Sequence, residues 1–413
     1  MNIFFAIILF ALIFEYLLDM IANFLNLKSI KSVVPEDLSG IYEPDEYRKS
    51  QDYLRTTTKF AFLTNTFKLI LLLGFWFAGG FGWLDEAIRE QNFHIIINGL
   101  LFISILLLAQ LVLTIPFEIY STFVIEDRFG FNKTTPSTFA YDRVKGLLIL
   151  LIIGGPLIAG ILSFFEYAGS LAWVYCWIAV TLFSLGLQFI APTWIMPIFN
   201  KFTPLEKGNL RDSIFEYANT VNFSIDNILL MDGSKRSNKA NAFFTGFGKH
   251  KRIALFDTLI EKHSVSELVS IIGHEIGHYK KGHIIQRLVF SIIHSGVIFF
   301  LLSIFLNSTE LYDAFFVDEQ SVYAGLLFFG LLYTPIEIIL GPIMQGLSRK
   351  HEYEADLWAV DTVNDHENLS NGLKKLSVDN LSNLTPHPLY VFLNYSHPPL
   401  LKRLQAIELR ASK

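Results

Sequence analysis

The sequence of 413 residues contains a single cysteine, Cys176, which excludes a disulfide bond within the chain. Cys176 lies in an apolar run, where a lone thiol is typical of a small core or lipid-facing side chain. A zinc site made of several thiolates is excluded for the same reason. A zinc ion bound by this chain is therefore not held by thiolates.

Charged residues are also scarce, at 17% of the chain, and the formal net charge is only −5. No basic run is long enough to indicate nucleic acid as a partner. Hydrophobic residues make up 52% of the chain, 39 residues are phenylalanine, and the mean hydropathy is positive. Such values are not those of an ordinary soluble enzyme, so much of the surface is expected to face lipid.

Seven apolar runs are long enough to cross a bilayer core of about 30 Å. They are residues 3–25, 60–83, 95–117, 146–166, 171–191, 288–306 and 323–344. The first has no lysine or arginine before it and no small-residue cleavage pattern after it, which indicates an uncleaved span rather than a signal peptide. The sequence thus predicts a mainly α-helical, multi-pass membrane protein with seven transmembrane helices.

Lysine and arginine are concentrated in alternate connecting segments, which predicts an orientation. Segments 26–59, 117–145, 192–287 and 345–413 hold nearly all of them, whereas 84–94 holds only Arg89, and 167–170 and 307–322 hold none. By the positive-inside rule the N-terminus lies outside or in the lumen, and the large polar segments lie in the cytosol. The expected compartment is the endoplasmic reticulum membrane in a eukaryote or the inner membrane in a bacterium.

Ionisable and amide side chains interrupt several of the apolar runs. They are Glu15, Asp19, Asn65, Lys68, His294 and Glu337. Such groups are costly in lipid and usually face a bundle interior or a water-filled cavity. Taken singly, each is explained equally well by snorkelling or by a hydrogen bond between helices. Together they favour a hydrated interior.

The sequence HEIGH at 274–278 has two histidines four residues apart. On a helix His274 and His278 share a face and can bind one ion, with Glu275 beside it. Two neutral imidazoles suit Zn²⁺, and the adjacent carboxylate can take a proton from a water on the metal. We predict one catalytic zinc per chain, with Glu275 as the general base. His283 lies about 140° away around the helix and is expected to be a surface histidine or a partner of a ligand.

A third ligand is expected from SRKHEYEAD at 348–356, directly after the last span. Glu352 and Asp356 are one turn apart, which permits Glu352 on the metal and Asp356 on the other ring nitrogen of a ligand histidine. His351 is the rival ligand, and Glu354 points the opposite way. Such an acidic stretch is more often a solvated helix face. We assign it to the metal site only because a third ligand is needed.

The segment 201–285 is charged and mixed, and it predicts a small sheet before the zinc helix. A helix is expected at about 207–221 and strands at 227–231, 241–247 and 252–256, the last two as a hairpin turning at Gly248. An edge strand beside a metal can hold an extended peptide, although completing a core explains the hairpin equally well. We divide the chain into spans 1–5 (1–200), a zinc-peptidase segment (201–287), spans 6–7 (288–344) and a C-terminal catalytic segment (345–413).

Near the C-terminus, YSHPP at 395–399 places His397 just before a helix that starts at proline. Such a segment is usually only a helix start. His397 is nevertheless able to donate a hydrogen bond to a tetrahedral oxyanion.

Six sequence blocks, in order, resemble the CAAX prenyl endopeptidase family of integral-membrane zinc metalloproteases, the type I or a-factor-converting enzymes. The blocks are FVIEDRFGFN at 123–132, FNKFTP at 199–204, KRIALFDTL at 251–259, HEIGH at 274–278, SRKHEYEAD at 348–356 and YSHPP at 395–399. The resemblance implies seven spans that enclose a chamber, capped on the cytosolic side by a zincin-like α+β metalloprotease domain.

The resemblance also implies roles for individual residues: His274, His278 and Glu352 as zinc ligands, Glu275 as the base, Asp356 as a carboxylate on a ligand histidine, and Asn241, Arg349 and His397 as polar groups on the substrate side. The implied activity is removal of a C-terminal tripeptide after a prenylated cysteine. A peptide or protein substrate and membrane lipid are the implied partners.

Three other functions fit parts of the sequence. A membrane quality-control protease would use the same zinc site on substrates without a prenyl group. A site-two-type protease would carry HExxH inside an apolar span, whereas Lys280 and Lys281 follow the motif here. A lipid-binding or transport protein with a structural zinc would need four protein ligands, and only three good candidates plus Glu275 are present.

Overall fold

The structure is a computed structural model that describes residues 2–31, 33–34, 39–245, 252–363 and 365–412. The helices before the sheet are α1 (Ile3–Lys28), α2 (Pro44–Phe77), α3 (Gly80–Arg89), α4 (Ile95–Tyr120), α5 (Pro136–Ile149), α6 (Gly155–Tyr167), α7 (Ala172–Ile190) and α8 (Met196–Phe199). The later helices are α9 (Asn209–Thr220), α10 (Asp257–Lys262), α11 (Val265–Lys280), α12 (His283–Phe305), α13 (Thr309–Asp313), α14 (Val322–Leu332), α15 (Thr334–Thr362), α16 (His366–Asp379), α17 (Pro388–Asn394) and α18 (Leu400–Ala411).

Six helical segments are long and apolar enough to span a bilayer, and α14 with α15 forms a seventh if this pair, bent by 54°, counts as one span. The six are Ile3–Lys28, Pro44–Phe77, Ile95–Glu126, Pro136–Tyr167, Gly169–Phe199 and His283–Phe305. The bend precedes Pro335, and the residue before a proline is disfavoured in the α conformation. The predicted helical, multi-pass membrane architecture is confirmed.

The spans pack tightly at one end of the bundle, where α3 and α13 lie and which we call the distal end. There Trp76 Nε1 donates to the Ala314 carbonyl at 2.7 Å, and the Phe315 and Phe328 rings stack with centroids 4.0 Å apart. Farther from the distal end, no residue of α2 between 59 and 75 is buried, and none of α7 beyond Cys176. Side chains there keep accessible surface that no other part of the described chain covers.

A four-stranded mixed sheet precedes the HEIGH helix, with the order β1-β2-β4-β3. The strands are β1 (Phe202–Pro204), β2 (Asn227–Met231), β3 (Ala242–Thr245) and β4 (Arg252–Phe256). β2 and β4 run parallel, while β3 pairs antiparallel with β4. The predicted strands 227–231 and 252–256 are confirmed, and β3 lies within the predicted 241–247. The expected turn at Gly248 lies outside the described residues.

α9 and α11 cover the sheet, and a core of large apolar side chains joins the three. Among its fully or nearly fully buried members are Ile214 of α9, Ile253 and Leu255 of β4, and Ile272 of α11. At roughly 1.5–3 kcal/mol for each buried aliphatic side chain, this core is sufficient to fix the position of α11 against the sheet.

Ser264 caps the N-terminus of α11. The Ser264 hydroxyl accepts from the Glu267 backbone N–H, and the Glu267 carboxylate accepts from the Ser264 N–H at 2.8 Å. Serine followed three residues later by glutamate forms a complete capping box, which satisfies two backbone N–H donors at the start of the helix. Lys375 of α16 also donates to Glu267 at 2.8 Å, which ties the C-terminal segment to α11.

α15 continues without a break from the membrane into the polar C-terminal segment. The division that we placed between 344 and 345 therefore lies inside one helix. This continuity matters for the site, because the same rigid helix that leaves the bundle carries Glu352 and Asp356 to α11.

Candidate metal centre

Three side chains from two helices converge on one point. The Nε2 atoms of His274 and His278, one turn apart on α11, are 3.1 Å from each other. From α15, Glu352 Oε1 lies 3.3 Å from His278 Nε2, and Glu352 Oε2 lies 3.4 Å from His274 Nε2. The helices approach this closely because Gly277 faces α15: a Cβ on it would lie 3.0 Å from the Ala355 carbonyl oxygen.

The chemistry of this cluster fits a divalent metal such as zinc. One ligand atom from each of the three residues lies within 4.8 Å of the others, and two imidazole nitrogens with a carboxylate oxygen form a common catalytic zinc set. Glu352 Oε2 is buried and accepts no hydrogen bond, a costly state for a carboxylate unless a cation is bound there. Burial raises the pKa of the Glu352 carboxyl, but the facing imidazoles outweigh burial and hold that pKa well below its usual range.

The second ring nitrogen of His274 is held by Asp356. Its Oδ1 lies 2.8 Å from His274 Nδ1, and Arg403 of α18 grips the same carboxylate with two hydrogen bonds of 2.7 and 2.6 Å. Burial alone would raise the pKa of Asp356, but Arg403 and His274 outweigh burial and hold it at about 2. Asp356 is therefore ionised and fixes the orientation of the His274 ring.

Arg403 is a site residue that the sequence analysis missed. It is mostly buried, pairs with Asp356 and lies 3.8 Å from Glu352 Oε2. A signal for it existed in principle, since a fully buried Asp356 needs a cationic partner. Nothing in the sequence said which of the C-terminal basic residues supplies that partner.

His351, the rival third ligand, lies away from the cluster. Its Nε2 is 3.1 Å from Gln286 Oε1, and its ring stacks on His283 with centroids 4.1 Å apart. The geometry thus brings Glu352, not His351, to the two histidines.

A cavity of about 530 Å³ opens onto the cluster. Its walls include Asn241, Glu275, Glu352, His397 and Arg403. Burial raises the pKa of Glu275, an effect that the neighbouring imidazoles oppose. A base poised nearer neutral pH than an ordinary glutamate is well suited to proton transfer.

His397 lies at the rim of this cavity, with its Nε2 3.5 Å from Glu352 Oε2 and its Nδ1 2.8 Å from the Ser396 hydroxyl. Partial burial lowers the pKa of the His397 imidazole, which favours the neutral ring. When Ser396 donates to Nδ1, the ring proton lies on Nε2, the nitrogen nearer the metal cluster.

Asn241 and Arg349 occupy different places. Asn241 lines the cavity just before β3, and its backbone carbonyl accepts from the Phe256 N–H at 3.1 Å. Arg349 Nη1 donates to the carbonyls of Val391 and Tyr395 at 2.9 and 2.7 Å. Arg349 therefore braces the end of α17, from which the chain continues to His397.

Comparison with known proteins agrees with this geometry. The profile described as "CAAX prenyl protease N-terminal, five membrane helices" matches residues 23–201, and that of "Peptidase family M48" matches residues 204–411. CAAX prenyl protease 1 of Saccharomyces cerevisiae is 34% identical, over 94% of this chain and 91% of its own. A human protein named CAAX prenyl protease 1 homolog is 32% identical, over 91% of this chain and 88% of its own.

A solved structure shows the same likeness. The crystal structure of S. mikatae Ste24p superposes with a TM-score of 0.93 at 32% identity, covering 99% of this chain and 100% of that one. The match extends over the membrane helices and the site together. The chain therefore belongs to peptidase family M48 and is an integral-membrane metalloendopeptidase.

Proposed function

We propose that this chain is a zinc-dependent endopeptidase that removes the C-terminal tripeptide of prenylated CAAX proteins. The observation that carries the proposal is the convergence of His274, His278 and Glu352 on one wall of a cavity shared with Glu275 and His397. Relatives named CAAX prenyl protease 1, similar over nearly their whole length, support the substrate class.

One zinc ion per chain fits the three ligands, and the set is typical of a catalytic site. A structural zinc has four protein ligands, whereas the ligand cluster found among the described residues has three members. Glu275 lines the cavity beside that cluster. This open set argues against a transport or lipid-binding protein with a structural zinc.

The residues of the site have different roles in peptide hydrolysis. Zinc held by His274, His278 and Glu352 would act as a Lewis acid that makes a nearby water easier to deprotonate. Glu275 takes a proton from the attacking water at its carboxylate and returns it to the leaving amide nitrogen. His397 Nε2–H donates to the carbonyl oxygen of the scissile bond as that oxygen gains negative charge. Asp356 keeps the proton of His274 on Nδ1, which leaves Nε2 free to act as a ligand.

The peptide is held along β3. This strand is at an edge of the four-stranded sheet, and Asn241 and Ala242 line the cavity at its start. An extended substrate adds to such an edge through main-chain hydrogen bonds, and the Asn241 side chain lies within reach of its backbone. A direct contact of Arg349 with substrate stays a prediction, since the contacts described for Arg349 are with backbone carbonyls of its own chain.

The membrane half of the chain supplies a hydrated chamber for the lipid tail. Asn65 lies 3.4 Å from Asp19, and His294 lies 3.0 Å from the Tyr333 hydroxyl and 3.5 Å from Glu337. These contacts join polar groups of separate spans at depths where lipid would penalise them. The six polar residues noted in the spans all keep accessible surface. Together with the accessible side chains of α2 and α7 away from the distal end, they support a chamber that is open toward the metal centre.

The metal centre is proposed to face the cytosol, in the endoplasmic reticulum membrane of a eukaryote or the inner membrane of a bacterium. The alternation of basic and lysine-poor connecting segments supports this orientation. A single cysteine introduced within 84–94 is expected to react with an impermeant reagent from the outer or lumenal side. Reaction of that cysteine only from the cytosolic side would reverse the orientation.

The test of the function compares two peptides of one CAAX sequence, one farnesylated and one not, with the purified full-length chain in lipid nanodiscs. We expect cleavage after the cysteine of the farnesylated peptide only, loss of cleavage with a chelator, and recovery on adding zinc. Equal cleavage of both peptides would support the protease activity but contradict the prenyl specificity. That result is expected of a quality-control enzyme. Cleavage that resists a chelator would contradict the zinc mechanism.

His397→Ala is expected to lower kcat about a hundredfold with zinc content unchanged, because one donor to the oxyanion is lost. The measurements are steady-state kinetics and metal analysis of the same preparation. Ser396→Ala is the milder companion, since it removes only the partner of His397 Nδ1. A His397→Ala enzyme with wild-type kcat would refute the assigned role.

A further inference from the structure

The two metal-binding histidines are each supported from behind, but by different groups. His274 rests on the carboxylate of Asp356. Behind His278 stands a second imidazole: His278 Nδ1 lies 3.0 Å from His283 Nδ1, and His283 Nε2 lies 2.9 Å from Glu354 Oε2. A continuous chain of hydrogen bonds therefore leads away from the metal cluster to the surface.

Glu354, at the outer end of these hydrogen bonds, determines which ring nitrogen of each histidine carries a proton. The Glu354 carboxylate only accepts hydrogen bonds, so the neutral His283 ring carries its proton on Nε2. His283 Nδ1 is then bare and accepts from His278 Nδ1–H. With its proton on Nδ1, His278 presents a bare Nε2 to the cluster, the only form of the ring that binds a metal through that atom.

The structure also fixes His283 in position. The side chain is buried, with 1% exposure, and stacks on His351 with the rings inclined by 10°. His351 is itself held by Gln286. Gly282 precedes His283 with a φ of 73°, a left-handed conformation that suits glycine; this turn brings the start of α12 beside His278.

We propose that His283, held by Glu354, is the positioning residue for His278, setting both the tautomer and the ring orientation of that ligand. His283 is not itself a ligand, because it bonds to the nitrogen of His278 that faces away from the cluster. The inference rests on the proposed zinc site. It gives His278 the imidazole of His283 as its outer partner, whereas His274 has the carboxylate of Asp356. Outer partners of this kind typically contribute 10- to 100-fold in metal affinity.

The experiment measures zinc affinity by chelator competition on the full-length protein. His283→Phe keeps a ring of similar shape in the stack and removes the acceptor, so we expect zinc to bind roughly 10- to 100-fold more weakly. His283→Asn places an amide oxygen where Nδ1 was and is expected to recover most of the affinity. Thermal unfolding of the zinc-free protein, followed by tryptophan fluorescence, checks that each variant folds.

His351→Phe is the matched control, because it alters the same ring stack without entering the hydrogen-bond chain; its zinc affinity is expected to be that of the wild type. Equal losses in His283→Phe and His351→Phe would overturn the inference and make His283 a packing residue. Failure of His283→Asn to recover affinity while folded would also overturn it.

Glu354 gives an independent test if the variants of the buried His283 do not fold. Its side chain is half-exposed, so substitution there is expected to be tolerated. We expect Glu354→Ala to weaken zinc binding and Glu354→Gln, which keeps an acceptor oxygen, to remain near wild type. Unchanged zinc affinity in Glu354→Ala would contradict the proposal that Glu354 acts on His278 through His283. A wild-type protein that binds no zinc would instead refute the proposed function, so the two failures are distinguishable.

Discussion

Glu275→Gln is expected to lower kcat by roughly two to four orders of magnitude while zinc stays bound. Glutamine keeps the size and shape of the side chain but cannot accept the proton of the attacking water. Glu275 is not among the three clustered ligand residues, so metal content should not change. The measurements are steady-state cleavage of a prenylated peptide and metal analysis of the same sample.

The control is Glu261→Gln, the same change at an exposed position on α10, which should leave kcat unchanged. A Glu275→Gln enzyme with wild-type kcat would show that another group removes the proton. Loss of zinc from Glu275→Gln would show instead that Glu275 contributes to the metal site, and the site would then contain four protein ligands.

Six of the seven apolar runs overlap helices long enough to span a bilayer, and the seventh run overlaps the bent pair of α14 and α15. The runs predict these positions because a helix buried in lipid needs a long apolar sequence. The ends of the helices do not follow. The run predicted at 60–83 belongs to a helix that begins at Pro44 and ends at Phe77. Hydropathy detects only the part of a helix that lies in lipid, whereas α2 continues into water through polar residues. α15 behaves in the same way, carrying Glu352 well beyond the predicted end of the last span.

The strands were predictable to different degrees. Those at 227–231 and 252–256 are short, largely apolar runs, and the structure has them with the same limits. Their parallel pairing was not predicted, because the sequence indicated only the local hairpin of β3 with β4. β1 was missed: it has three residues and ends at Pro204, and a proline gives no strand signal.

Spacing within one helix was sufficient to bring together the site residues of α11. It was insufficient to place the site residues that other helices supply. His274 and His278 share a face by helical geometry alone. Spacing could not choose between Glu352 and His351, because that choice depends on how α15 is rotated against α11. Arg403 and the contact of His283 with Glu354 are harder still, since each joins helices far apart in sequence. Such contacts depend on tertiary packing, which the periodicity of one segment does not encode.

Glu352→Ala is expected to lose both zinc and activity, in contrast to Glu275→Gln. The substitution removes one of the three proposed ligand side chains, the carboxylate that lies 3.8 Å from the positive Arg403. The loss of zinc affinity should exceed the roughly 10- to 100-fold that removal of an outer hydrogen-bond partner costs. Zinc per chain, measured after dialysis against a weak chelator, gives the result directly.

His351→Ala is the control for the third ligand, because His351 is the neighbouring residue and the rival from the sequence. Its Nε2 bonds to Gln286, so the variant should keep its zinc after the same dialysis. If His351→Ala loses zinc and Glu352→Ala retains it, the third ligand is His351, and α15 must turn about its axis when the metal binds. If both variants lose zinc, the stack of His351 on His283 is needed to hold His278, and metal binding depends on the packing of α12 against α15 as much as on the ligands themselves.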